Sequence, residues 1–103
     1  MPDYYRKKPV IIEAVRLVNE CYDDVLAFVT RSPEVVLYHE GWGQSPALDH
    51  ADVTTLEGVM RAQYGDWLIR GVQGEVYPCK HTIFRQTYEH VPDYIPTDYT
   101  PNE

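Results

Sequence analysis

Residues 66–80 place the tightest constraint on the fold, because two β-rich runs, 66–72 and 75–80, are separated only by Gln73-Gly74, a dipeptide suited to the centre of a tight reversal. A two-residue turn there pairs Val72 with Glu75, Arg70 with Tyr77 and Leu68 with Cys79, so these six share one face of an antiparallel hairpin. Trp67, Ile69 and Val76 then share the other face. Pro78 has no N–H to give a ladder, which places the second strand at a sheet edge or ends it there.

The rest of the chain supplies partners for this hairpin. Residues 10–18 are β-branched and mostly apolar on both faces, the pattern of a central strand. Asn19 is a candidate helix N-cap, Glu20, Asp23 and Asp24 sit where the helix dipole favours negative charge, and Tyr22, Val25, Leu26 and Val29 have the spacing of one buried stripe. With Arg31 at the C-terminal end and Ser32-Pro33 closing the run, the spacing predicts a helix over residues 20–31. Residues 34–40 read as a short strand, and 41–46 as a Gly, Ser and Pro loop with Trp42 at its tip. Residues 52–56 and 59–63 flank Glu57-Gly58 as the centre of a second hairpin, and 81–90 have near-helical apolar spacing, ended by Pro92. For 103 residues this implies a single α+β domain over 1–91, mainly antiparallel sheet packed by one longer and one short helix. Residues 92–103 form a Pro-, Tyr- and acid-containing tail, expected to be extended or disordered.

Sixteen acidic residues against nine Lys and Arg give a net charge of -7, which opposes non-specific attraction to nucleic acid or anionic lipid. No apolar run reaches a membrane span and no signal-peptide core opens the chain, so no membrane partner and a cytosolic setting are expected. Cys21 and Cys79 are too few for a disulfide framework and read as free thiols.

Tyr5-Arg6-Lys7-Lys8-Pro9-Val10 with Glu13-Ala14, Thr55-Leu56-Glu57-Gly58, and Gly65-Asp66-Trp67-Leu68-Ile69-Arg70-Gly71-Val72 through Tyr77-Pro78-Cys79-Lys80 to Phe84 and Thr87-Tyr88-Glu89 are distinctive together. On these residues the chain resembles a widespread group of small proteins encoded by bacteriophages and prophages. The likeness spans most of residues 5–91, is most specific over 65–89, and leaves out 41–52 and the acidic tail. It implies a phage origin and the cytoplasm of an infected host, and it implies no particular activity. By analogy, accessory phage proteins of this size often modulate other proteins without catalysis, and some bind nucleotide signals of host defence.

Cys79, Lys80 and His81 invite a cysteine-nucleophile reading, but neighbours in a strand point to opposite faces, and Cys79 reads instead as a buried thiol opposite Leu68. Cys21, Cys79, His39, His50, His81 and His90 lack the local spacing of a metal site, and no P-loop, GxGxxG or GxSxG motif is present, so neither a metal nor a cofactor is expected. Arg70 opposite Tyr77 suggests a cation–π pair or a clamp for a planar anion, with Lys80, Glu75 and Trp67 near it. Arg6, Lys7 and Lys8 offer phosphate contacts and Trp42 a stacking ring. Trp67, Arg70, Glu75, Tyr77, Lys80, Arg6, Lys7, Lys8 and Trp42 are therefore the candidate binding residues, and none is assigned a catalytic role. The expected function is that of a non-enzymatic accessory protein binding a host or phage protein, with nucleotide sequestration as the alternative and a cysteine-dependent enzyme as the third reading. Tyr-rich surfaces and a free edge near Pro78 also suggest a homodimer.

Overall fold

The computed structural model describes residues 1–41 and 47–95. Trp42 with its loop, and the tail beyond Ile95, lie outside the described residues. The elements in chain order are β1 (Glu13–Arg16), a 3-10 turn (Asn19–Cys21), α1 (Tyr22–Thr30), β2 (Val35–Glu40), β3 (Ala47–Thr55), β4 (Gly58–Gln63), β5 (Trp67–Arg70), β6 (Val76–Cys79) and α2 (His81–Thr87). This is an α+β protein dominated by antiparallel sheet. The single sheet expected from sequence is two three-stranded sheets, ordered β1-β5-β6 and β2-β3-β4.

The 66–80 hairpin forms one residue out of the expected register. Trp67 pairs with Cys79, Leu68 with Pro78, Ile69 with Tyr77 and Arg70 with Val76. The reason lies at the reversal. A two-residue type I′ turn needs positive φ at both centres, and no non-glycine residue among those described adopts it. The chain instead uses three residues, Val72-Gln73-Gly74, in which only Gly74 is left-handed, at φ 86°. The Gly74 N–H donates to the Gly71 carbonyl at 3.0 Å and the Gly71 N–H donates to the Glu75 carbonyl at 2.7 Å. One step of register moves every side chain of β6 to the opposite face. Val76 therefore joins Leu68 and Arg70, while Tyr77 and Cys79 join Trp67 and Ile69. Pro78 does lie on an edge strand.

The second hairpin also turns one residue early. Thr55 pairs with Gly58, so Leu56-Glu57 are the central residues. The Thr55 hydroxyl holds this loop, accepting the Glu57 N–H at 3.1 Å and donating to the Gly58 carbonyl at 2.7 Å.

Strand β1 is an edge strand, not a central one. Its two apolar faces reflect layers above and below it. Val15 and Leu17 enter the core with Val25 and Phe28 of α1, Leu68 and Val76 of the hairpin, and Val35, Ala51 and Val53 of the other sheet. Ile12 and Ala14 face the opposite layer, toward Trp67 and α2. Burying both faces of this sheet needs no strand on each side.

In α1 the buried residues are Val25 and Phe28, whereas Leu26, expected in the stripe, faces outward. Asn19 does not cap the helix; its Oδ1 accepts the Leu48 N–H at 2.8 Å and ties the 3-10 turn to β3. Ser32 closes the helix, its buried hydroxyl donating to the Phe28 carbonyl at 2.8 Å.

Glu13 joins these pieces. Its carboxylate pairs with Arg31 after α1 and with Arg70 of β5, each at 2.5 Å. Arg70 also donates to the Phe28 carbonyl at 3.1 Å and to the Ser32 hydroxyl, with its guanidinium 4.2 Å above the Phe28 ring. The hydrogen bond from Arg31, and then Arg70, hold the Glu13 carboxyl below the usual glutamate range against the opposing effect of burial. A depressed folded-state value means this stabilisation is complete above the unfolded value, about 4.3, and is lost as pH falls through the lower folded one. Glu13→Gln should therefore cost about 1 kcal/mol near neutral pH, because water screens the half-exposed carboxylate, with the deficit shrinking below about pH 4 in urea melts run as a pH series.

Candidate functional site

The Gln63-to-Asp66 reversal aims Trp67 at the second face of its sheet. The Asp66 N–H donates to the Gln63 carbonyl at 2.9 Å across Gly65, whose φ of 96° suits glycine at the third position of a type II turn. The buried Asp66 carboxylate accepts the Gln63 N–H at 2.9 Å and Lys80 Nζ at 3.1 Å, and Arg16 Nε donates to the Gly65 carbonyl at 2.9 Å. Lys80 is thereby engaged in holding this turn.

From Trp67 a run of rings follows α2. The indole N–H donates to His81 Nδ1 at 3.0 Å, and the indole lies nearly parallel to Phe84 with centroids 3.8 Å apart. Phe84 meets Tyr88 at 4.9 Å, as the i, i+4 spacing of a helix allows. Tyr88 in turn shares a 3.4 Å hydroxyl contact with Tyr77, and Lys7 Nζ lies 5.6 Å from the Tyr88 ring centroid. Burial first, then the bond to Tyr88, push the Tyr77 phenol up, so it stays protonated. Desolvation first, then Arg16 and Arg85, hold the His81 imidazole below its usual value, which suits an acceptor of the indole proton.

Residues 7–12 stand opposite these rings. Between them lies a cleft of about 650 Å³, floored by Ile12, Ala14 and Trp67 and walled by Lys7, Lys8 and Val10 on one side and Phe84, Tyr88 and Tyr94 on the other. This volume is in the range of ligand-binding pockets.

The candidate binding residues from sequence divide between distant places. Trp67, Lys7 and Lys8 meet at the cleft, and Arg6 is exposed just before it in the chain. Tyr77 supports Tyr88 from behind. Arg70 lies on the opposite face in the Glu13 network, so the expected Arg70–Tyr77 cation–π pair is replaced by one with Phe28, a direct result of the register. Glu75 accepts the Gln73 N–H at 3.1 Å in the exposed hairpin loop. Ile12, Phe84, Tyr88 and Tyr94 were not singled out from sequence as binding residues; the i, i+4 spacing of Phe84 and Tyr88 was the available signal.

Cys79 pairs with Trp67, not Leu68, and is half-buried. Its thiol makes a long 3.6 Å contact to the Lys80 carbonyl, and burial, then the Asp66 charge, push its pKa above the usual thiol value. Both effects oppose the thiolate. Among the described residues, no three His, Cys, Asp or Glu side chains converge as metal ligands.

Iodoacetamide should label Cys79 more slowly in the folded chain than in the denatured chain at the same mildly alkaline pH, read by peptide mass spectrometry. Equal rates would remove the argument from burial. Arg70→Ala should lower stability by about 2 to 3 kcal/mol in chemical denaturation, since it leaves Glu13, Ser32 and the Phe28 carbonyl short of a donor. No protein-family model matches the chain, and no curated protein or solved structure matches it.

Proposed function

We propose that this is a phage-encoded accessory protein that works without catalysis, by binding a protein of the host or phage in the cytoplasm of the infected cell. The cleft beside Trp67 carries the reading. Val10, Ile11 and Val91 of its lining are each nearly half exposed, so the cleft offers apolar surface open to solvent of the kind a protein contact covers. The raised pKa of the Cys79 thiol, which disfavours the thiolate, supports binding over thiol chemistry.

Nucleotide sequestration is the second reading, favoured by the aromatic rings and by Lys7 and Lys8 at one cleft. It has weaker support because Arg70, the buried guanidinium expected to hold phosphate, is committed to Glu13, Ser32 and Phe28 on the other face. The homodimer belongs to the first reading as a special case, with a second copy covering the apolar rim.

Affinity capture from phage-infected lysate, with the unaltered chain and the rim variant Val10→Glu side by side, tests the proposal. The expected result is a specific protein retained by the first and lost by the second, with both giving the same circular dichroism and thermal melt. Identical captures would remove the cleft from the interface. Saturable heat with a nucleotide in calorimetry, without a captured protein, would favour the second reading. Sedimentation should give a concentration-dependent dimer if the partner is a second copy.

A further inference from the structure

Nine Lys and Arg stand against sixteen Asp and Glu in this chain, so a cation should easily find a carboxylate. Four of them do: Arg31, Arg61, Arg70 and Lys80 each have one within 4.0 Å, whereas Arg6, Lys7, Lys8, Arg16 and Arg85 have none among the described residues. Lys7 and Lys8, which line the cleft, pair with no carboxylate among the described residues. With Arg6 they are the densest positive charge in a chain of net -7, and they sit beside an apolar floor of Ile12, Ala14 and Trp67.

Resting on the protein-binding reading above, we infer that the cleft takes an acidic segment of its protein partner, one bearing a large apolar side chain flanked by carboxylates. The anchor lies against Ile12, Trp67 and Phe84, where it displaces water from apolar surface. The flanking carboxylates meet Lys7 and Lys8, which among the described residues have no carboxylate within 4.0 Å, Glu89 being an acidic residue that also lines the cleft. Lys7 Nζ lies 5.6 Å from the Tyr88 ring centroid, and the Tyr88 hydroxyl lies 3.4 Å from that of Tyr77, so ring and ammonium stand together at the cleft. The chain's net charge of -7 disfavours the approach of an acidic partner as a whole, so a local cluster of Arg6, Lys7 and Lys8 also orients that approach.

A randomised library of short peptides, selected on the full chain and on the double variant Lys7→Glu with Lys8→Glu, reads this directly. Both lysines belong to an arm outside the regular structure, and unchanged thermal melts would establish that the variant folds. The unaltered chain should enrich peptides that combine Leu, Phe or Trp with Asp or Glu, and their affinity should weaken with added salt. Charge reversal should reduce that affinity about tenfold or more and move the enriched peptides toward Lys and Arg. Enrichment of neutral or basic peptides by the unaltered chain, or the same peptides from both proteins, overturns the inference. If lysate capture still depends on Val10 while acidic peptides show no advantage, the inference falls and the protein-binding reading stands. If no peptide is enriched and the lysate yields no protein, both fall, and a dimer seen alone in sedimentation assigns the rim to a second copy.

Discussion

Gly74 decides which half of the hairpin faces which layer. Because it alone takes the left-handed conformation at that reversal, the loop has three residues and β6 is shifted by one position relative to a two-residue turn. Val76 then supplies core packing beside Leu68, and Tyr77 comes to lie on the side of Trp67, where it can support Tyr88. With the other register Tyr77 would enter the core layer beside Arg70, and Val76 would face the cleft layer. The partition between a core-side face and a cleft-side face therefore follows from one backbone angle.

That partition explains why Arg70 is a structural residue here. On the core-side face it lies at the end of α1, where the Phe28 carbonyl, the Ser32 hydroxyl and Glu13 accept its hydrogens. A largely buried guanidinium is tolerated only when its donors are occupied in this way. The same network joins an edge strand, a central strand and a helix terminus, which matters in a small protein whose sheets are only three strands wide.

The α+β class, the β2 strand, both helical regions and the existence of both hairpins were legible in sequence, because periodicity and turn residues are local properties. The registers were not. Gln73-Gly74 and Glu57-Gly58 each mark a reversal, but whether the loop takes three residues, as at 72–74, or two centres one position earlier, as at Leu56-Glu57, depends on where glycine takes positive φ and on what the paired strands then bury. Strand β1 was misplaced for a related reason: apolar residues on both faces report burial from above and below, and the sequence reading took this for neighbours on both sides. Of the cleft lining, Trp67, Lys7 and Lys8 were recognisable by type, whereas Ile12 and Tyr94 become part of it only through the approach of segments far apart in the chain.

The cleft itself follows from the shortness of β5. Its pairing with β1 ends at Glu13 and Arg70, because Gly71 already begins the reversal. Residues 7–12, although Val10, Ile11 and Ile12 are β-branched and suited to continue the strand, have no further ladder to join and run on past the sheet beside the cleft. An apolar wall outside the sheet gains stability only from what packs against it, and α2 with Tyr88 and Tyr94 covers part of it while Val10 and Ile11 remain about half exposed. Lys7 and Lys8, which among the described residues have no carboxylate within 4.0 Å, stand beside this surface, so the short ladder leaves apolar area and positive charge together at one cleft.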